Sequence, residues 1–289
     1  MGTIGTSTTS GSLIRDDFEL RYLIQGHGRS VLVMGSAVYY PRTFSEALRE
    51  KLALVFVDHR GFALAPDFVE PSSCELDTIL DDFEAIRLQL SLGTVVALGH
   101  SGHAYMALEY AKRYPEHVSH VVMVGAAPDL SPVSMAWAER EWQESADPDR
   151  KAAFEENMKR WPDECLAPLS PAEAFVRVYV RNGPRAWFDA KFDATELWKD
   201  VTPNEVLFRV WGETFARIDI REGLASLTTP VLVMLGRYDR IVAPPSSWDA
   251  YRDSFHDLTI RVFEKSGHTP QIEEAGRFDF ELTAWLEEH

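Results

Sequence analysis

Six short apolar runs constrain this chain more than any other feature. They are SVLVMG (30–35), LALVFVD (52–58), TVVALG (94–99), HVVMVG (120–125), PVLVMLG (230–236) and TIRVFE (259–264). A strand with one wet face alternates apolar and polar residues, whereas near-continuous apolar runs of this length suit strands covered on both faces, the habit of parallel sheets. Longer stretches with helical spacing lie between them, such as 78–92 with Ile79, Phe83, Ile86 and Leu90, and 104–114. That rhythm predicts an α/β chain, a mostly parallel sheet flanked by helices. The segment FELRYLIQG (18–26) alternates more and is expected to be an antiparallel edge strand.

The region 132–218 breaks the rhythm. It is long, helical in period and holds six of the eight tryptophans: Trp137, Trp142, Trp161, Trp187, Trp198 and Trp211. It is expected to be a helical cap inserted into a core formed by 12–131 and 219–289, with 1–11 as a flexible leader. Most of these rings are expected to form the cap's own core. A cap resting on a sheet also makes an interface, where aromatic-lined ligand pockets tend to form, so a few should face a substrate.

Charge and cysteine usage narrow the partners. With 45 acidic against 29 basic residues the formal charge is −16, which repels nucleic acid and anionic membrane surfaces and leaves a small molecule as the expected partner, with a homodimer left open. Cys74 and Cys165 are too few for a disulfide framework, and the absence of any CxxC or Cys/His cluster gives no reason to expect a metal or other cofactor. A reducing cytoplasm fits this usage. No apolar run approaches the ~18 residues of a membrane span.

The chemistry begins at LGHSGHA (98–104), where a serine follows a buried strand and precedes a helix. A serine on that sharp turn is held in a strained conformation with Oγ clear of the sheet, and the adjacent amide and helix N-terminus face a developing oxyanion. Gly99 supplies the small residue the turn needs on one side, while His103 stands where a second glycine is usual. Two readings of His103 stay open, a packed structural histidine or a ring beside the pocket.

Neither His100 nor His103 is well placed as the base, because neighbours on a tight turn point apart. Asp239 and His268 each lie just past a predicted strand end, Asp239 following Ser101 by 138 residues and His268 following Asp239 by 29. Three residues of the right types at three strand ends, in the order Ser, Asp, His, predict a nucleophile, an orienting carboxylate and a proton shuttle.

These motifs resemble the α/β-hydrolase superfamily over nearly the whole chain. VDHRGFALAP (57–66) is similar to its D-x-R-G-x-G-x-S segment, with Ala63 where glycine is usual, and TTPVLVMLGRYDRIVAP and EKSGHTPQIEE resemble its acid and histidine segments. The resemblance implies an eight-stranded, mostly parallel sheet with an inserted helical cap, most similar to proline iminopeptidase-like members. It also implies that Met34-Gly35-Ser36 replaces the family's H-G-x, so that the Ser36 N–H joins that of Gly102 as oxyanion hole, with Ala37 as the alternative donor. YYPRTF (39–44) follows as a pocket wall, with Tyr39 and Tyr40 as potential donors; His103, Tyr39 and Ala37 are the pocket candidates.

The finer resemblance has two departures. Gly102 follows the nucleophile where prolyl iminopeptidases carry tryptophan, and VMGSAVYYP stands in place of their H-G-G-P loop. An elbow serine excludes the aspartate-nucleophile chemistry of dehalogenases and epoxide hydrolases. The expected activity is hydrolysis of a small apolar or aromatic carboxylic ester through an acyl-enzyme. The alternatives are an aminopeptidase or other amide or lactone hydrolase and, in a different class, a non-catalytic ligand-binding member of the fold. A peptidase needs buried carboxylates in the cap, for which Glu139, Glu141, Asp189, Asp193, Glu196 and Glu213 are the candidates.

Overall fold

All six apolar runs form strands of one sheet. The computed structural model describes residues 8–289. Its eight strands are β1 (Thr8–Arg15), β2 (Phe18–Gln25), β3 (Arg29–Gly35), β4 (Leu52–Asp58), β5 (Val95–His100), β6 (Val118–Val124), β7 (Val231–Gly236) and β8 (Leu258–Phe263), in the order β1-β2-β4-β3-β5-β6-β7-β8. From β4 onward every pair is parallel, while β1 and β2 run antiparallel to their neighbours.

Two expectations change at the β1 end. Residues 18–26 are not the edge, because β1 pairs along the outer side of β2, from Thr8 against Gln25 to Arg15 against Phe18. Residues 8–11 of the expected leader therefore belong to the sheet; residues 1–7 lie outside the described part. The signal was hidden by Ser and Gly in TTSGSLIR, where Gly11 leaves room for the Tyr22 ring across the pair, an added Cβ falling 2.3 Å from its hydroxyl.

The continuous apolar runs have the predicted cause. β3 turns Leu32 and Met34 into one core and Val31 and Val33 into the other, all with no exposure. On the first face pack α1 (Leu76–Gln89), through Ile79, Phe83 and Ile86, and α2 (His103–Arg113), buried along Met106, Leu108 and Tyr110. The last helix, through Phe278, Leu282, Trp285 and Leu286, covers the second face, each side chain contributing about 1.5–3 kcal/mol of burial.

Between β6 and β7 the chain makes helices α3 (Pro132–Ser145), α4 (Pro148–Arg160) and α5 (Pro171–Arg181), then shorter turns. Each of the three begins with a cap readable in sequence, Ser131, Asp147 or Ser170, whose side chain accepts an N–H of the first turn and is followed by proline at the first helical position. No helix among the described residues is long and apolar enough to cross a membrane.

Candidate active site

Ser101 follows the last residue of β5 and precedes α2 with φ +57°, a left-handed conformation that costs a non-glycine residue energy and is held here by its N–H donating to Val124 O at 2.8 Å. The turn closes because of glycine on one side only. A Cβ on Gly99 would lie 2.0 Å from the His103 carbonyl oxygen, whereas the His103 side chain is directed elsewhere.

His103 finds its room at the sheet edge. A Cβ on Gly35 would meet the Tyr40 ring at 2.3 Å and the His103 ring at 3.1 Å, so the glycine missing from the elbow is matched by one opposite it. The Tyr40 hydroxyl and His103 Nδ1 are 2.8 Å apart, and burial together with neighbouring His59 and His100 holds the imidazole well below its ordinary pKa, hence neutral. Both open readings of His103 are partly met, since the ring is packed and hydrogen-bonded and also lines the cavity described below.

The structure brings His268 and Asp239 together. His268 Nδ1 lies 2.7 Å from Asp239 Oδ2 with both side chains 5% exposed, while Nε2 has no partner among the described residues. Burial pulls the His268 pKa down, but the Asp239 charge and hydrogen bond outweigh it, and the net shift is upward. Asp239 is itself fixed by the Ile241 N–H at 2.8 Å. His100, read from sequence as poorly placed for a base, lies with Nε2 2.8 Å from the His268 carbonyl oxygen, tying the elbow to the histidine loop.

Glu273 is a residue that sequence reasoning missed. Its carboxylate accepts the N–H groups of Gly267 at 2.9 Å and Thr269 at 3.2 Å, on either side of His268, and of Phe188 from the region after α5 at 2.5 Å. Burial pushes its pKa up to about 7 against the pull of those amides. Two carbonyls of the same region accept from the site loops, Arg185 O from the Arg240 N–H at 2.9 Å and Ala186 O from the His268 N–H at 2.5 Å. Gly267 permits that approach, since its Cβ would fall 2.1 Å from Ala186 O.

The two expected oxyanion donors lie on different elements, Ser36 on the loop after β3 and Gly102 on the elbow after β5. Neither the Ser36 nor the Gly102 N–H has a backbone acceptor among the described residues, and Ser36 lines the cavity with Ser101. Ala37 is corrected on both counts. Its N–H donates to Asp58 Oδ1 at 2.7 Å and is consumed, and the residue lies outside the cavity. Asp58, from the D-x-R-G segment, also accepts Arg21 Nε at 2.6 Å and so pins the loop to the sheet. The Ser36 hydroxyl is turned inward, accepting the N–H groups of Val38 and Tyr39.

Ser36, Tyr39, Ser101, His103 and His268 share one cavity of about 230 Å³ between the sheet edge and the region after β6. Three of the six tryptophans, Trp187, Trp198 and Trp211, face it; Trp142 instead packs against Phe154 and Arg185. No aspartate, glutamate, lysine or arginine is among its described lining residues. Gly102 is held to glycine from this side, since a Cβ would press 2.4 Å from Phe215 and 3.1 Å from Trp211. Among the described residues no group of acidic, histidine and cysteine side chains could hold a metal ion.

Residues 27–275 match the family model described as alpha/beta hydrolase fold. The chain belongs to the α/β-hydrolase family. This α/β-hydrolase is 41% identical over 274 residues to the AB hydrolase superfamily protein YclE of Bacillus subtilis, covering 94% of this chain and 97% of the relative. It is 28% identical over 270 residues to a pimeloyl-[acyl-carrier protein] methyl ester esterase of Aliivibrio fischeri, covering 92% and 93%. Among solved structures it is similar in fold to VinJ, with a TM-score of 0.70 at 21% identity, covering 97% of this chain and 98% of that one.

Proposed function

We propose that this α/β-hydrolase is a serine esterase acting on a small, uncharged carboxylic ester with an apolar or aromatic body. The observation that carries the reading is a neutral, aromatic-walled cavity that holds Ser101 and His268 together, with Asp239 behind the histidine. At about 30 Å³ per water, its volume corresponds to roughly eight waters, which suits a short acyl chain or a single aryl ring.

Ser101 Oγ attacks the ester carbonyl carbon while its proton passes to His268 Nε2, whose ring Asp239 holds in the receptive tautomer. The carbonyl oxygen becomes an oxyanion facing the N–H groups of Ser36 and Gly102. His268 then gives the proton to the departing alcohol oxygen as the C–O bond breaks, and water repeats the sequence on the acyl-enzyme. The proline iminopeptidase-like alternative needs a carboxylate to pair the substrate amine. Glu139, Asp189, Asp193, Glu196 and Glu213 are exposed, Glu141 is half-buried, and none of the six lines the cavity, which favours the ester.

The test sets p-nitrophenyl acyl esters beside prolyl-p-nitroanilide. Turnover of the esters, lost in Ser101→Ala, and labelling by a fluorophosphonate are expected. Preferred cleavage of the anilide would move the assignment to the aminopeptidase, and absence of both turnover and labelling would move it to a ligand-binding member of the fold.

A further inference from the structure

The two tyrosines at 39 and 40 are neighbours in sequence but have separate roles. Tyr40 spends its hydroxyl on the elbow, 2.8 Å from His103 Nδ1 and 3.3 Å from His100 O. Tyr39 is 6% exposed and lines the cavity, and no protein group among the described residues hydrogen-bonds its hydroxyl. Its ring packs against Trp198 at 4.5 Å, and Trp198 in turn packs against Tyr179 of α5 at 5.0 Å. Tyr179, half-buried, also lines the cavity with a hydroxyl that has no hydrogen-bond partner among the described residues. Burial raises both phenols, Tyr39 well above its ordinary value and Tyr179 to about 12, so each keeps its proton and remains a donor.

A phenol that opens into an apolar-walled cavity normally takes a hydrogen-bond partner there, because leaving its hydroxyl unpaired when a ligand displaces water sacrifices hydration without compensation. Two such donors, near each other through Trp198 and facing one cavity that no charged side chain among the described residues lines, call for an oxygen supplied by the ligand. A carboxylate would arrive there without a cation to offset its desolvation, so the complementary group is neutral. We propose that Tyr39 and Tyr179 form a second polar station in the cavity, which binds a neutral acceptor oxygen, such as a ketone, ether or hydroxyl, carried on the acyl group away from the scissile carbonyl. The proposal rests on the esterase reading and adds to it a substrate class, oxygenated acyl esters over plain alkanoyl esters.

The experiment compares methyl 6-oxoheptanoate with methyl heptanoate, whose small alcohol leaves the acyl chain to fill the cavity, by acid release at constant pH. The wild type is expected to favour the oxo ester about tenfold in kcat/KM, and Tyr39→Phe and Tyr179→Phe, which each remove one oxygen atom, should bring that ratio below about threefold. A second arm measures binding of the same two esters to Ser101→Ala, with and without Tyr39→Phe, by tryptophan fluorescence. No preference in the wild type, or a ratio unchanged in both phenylalanine variants, overturns the station. If neither ester is hydrolysed, the esterase reading fails while the binding arm still decides the proposal, equal affinity for the two esters refuting it and a preference abolished by Tyr39→Phe supporting it.

Discussion

Replacing Asp58 by asparagine tests how the oxyanion loop is held. Asp58 is 1% exposed and its two oxygens serve different donors, Oδ1 the Ala37 N–H at 2.7 Å and Oδ2 the Arg21 Nε at 2.6 Å. An asparagine has one oxygen. The charged guanidinium competes better for it, so the amide NH₂ is turned toward the Ala37 N–H, donor against donor, one residue from the Ser36 amide. The smallest expected effect is the loss of one net hydrogen bond, about 1 kcal/mol or roughly fivefold in kcat. The largest is loss of an oxyanion donor, about 2.7–4 kcal/mol or 10²–10³-fold. Because Asp58 lies outside the cavity, the loss should fall on kcat with KM changed less than about threefold. Breaking a largely buried ion pair also costs about 3 kcal/mol of stability, so the p-nitrophenyl ester assay belongs well below the melting transition of the variant, with the folded fraction checked by circular dichroism. A folded Asp58→Asn protein with kcat within twofold of wild type, or with its whole loss in KM, would refute the coupling of Asp58 to the oxyanion hole.

Other outcomes follow from the same geometry. Since His268 is raised above 6.5 and must be neutral to accept a proton, the acidic limb of kcat/KM should lie above pH 6.5; a limb at or below 6 in a pH–rate profile contradicts the Asp239 pairing. The same sign makes the His268–Asp239 contribution to stability full below pH 6.5 and lost as pH rises through the folded pKa, which thermal melts from pH 6 to 9 would follow. Glu273→Gln faces an NH₂ toward at least one backbone donor and should lower kcat about tenfold, and wild-type kinetics would relieve Glu273 of any part in holding His268. Gly99→Ala should prevent the elbow from forming, detected as absence of fluorophosphonate labelling, because its Cβ meets backbone rather than a movable side chain. His103→Gly should change acyl preference or melting temperature yet keep activity; a loss as complete as that of Ser101→Ala would give His103 a catalytic part.

Local pattern carried the fold because each buried strand had to be apolar on both sides, and it placed Ser101, Asp239 and His268 each after a strand end where the chain must turn. The helices after β6 announced themselves through their helical period and the break in the strand rhythm. What pattern could not supply was anything made by residues distant in sequence. β1 was missed because its Ser- and Gly-rich run becomes a strand only against β2. His103 was ambiguous until Gly35, 68 residues earlier, proved to be the gap it fills. Glu273 and Asp58 read as ordinary carboxylates, and only the approach of three backbone amides to one and of an amide and a guanidinium to the other distinguishes them. Tyr39 and Tyr40 are the same residue side by side, and tertiary packing alone decided that one hydroxyl is tied to the elbow while the other is left to the cavity. Apolar periodicity and strand ends are properties of a segment, whereas a hydrogen bond across the fold depends on where two segments are carried, and that is decided when the whole core packs.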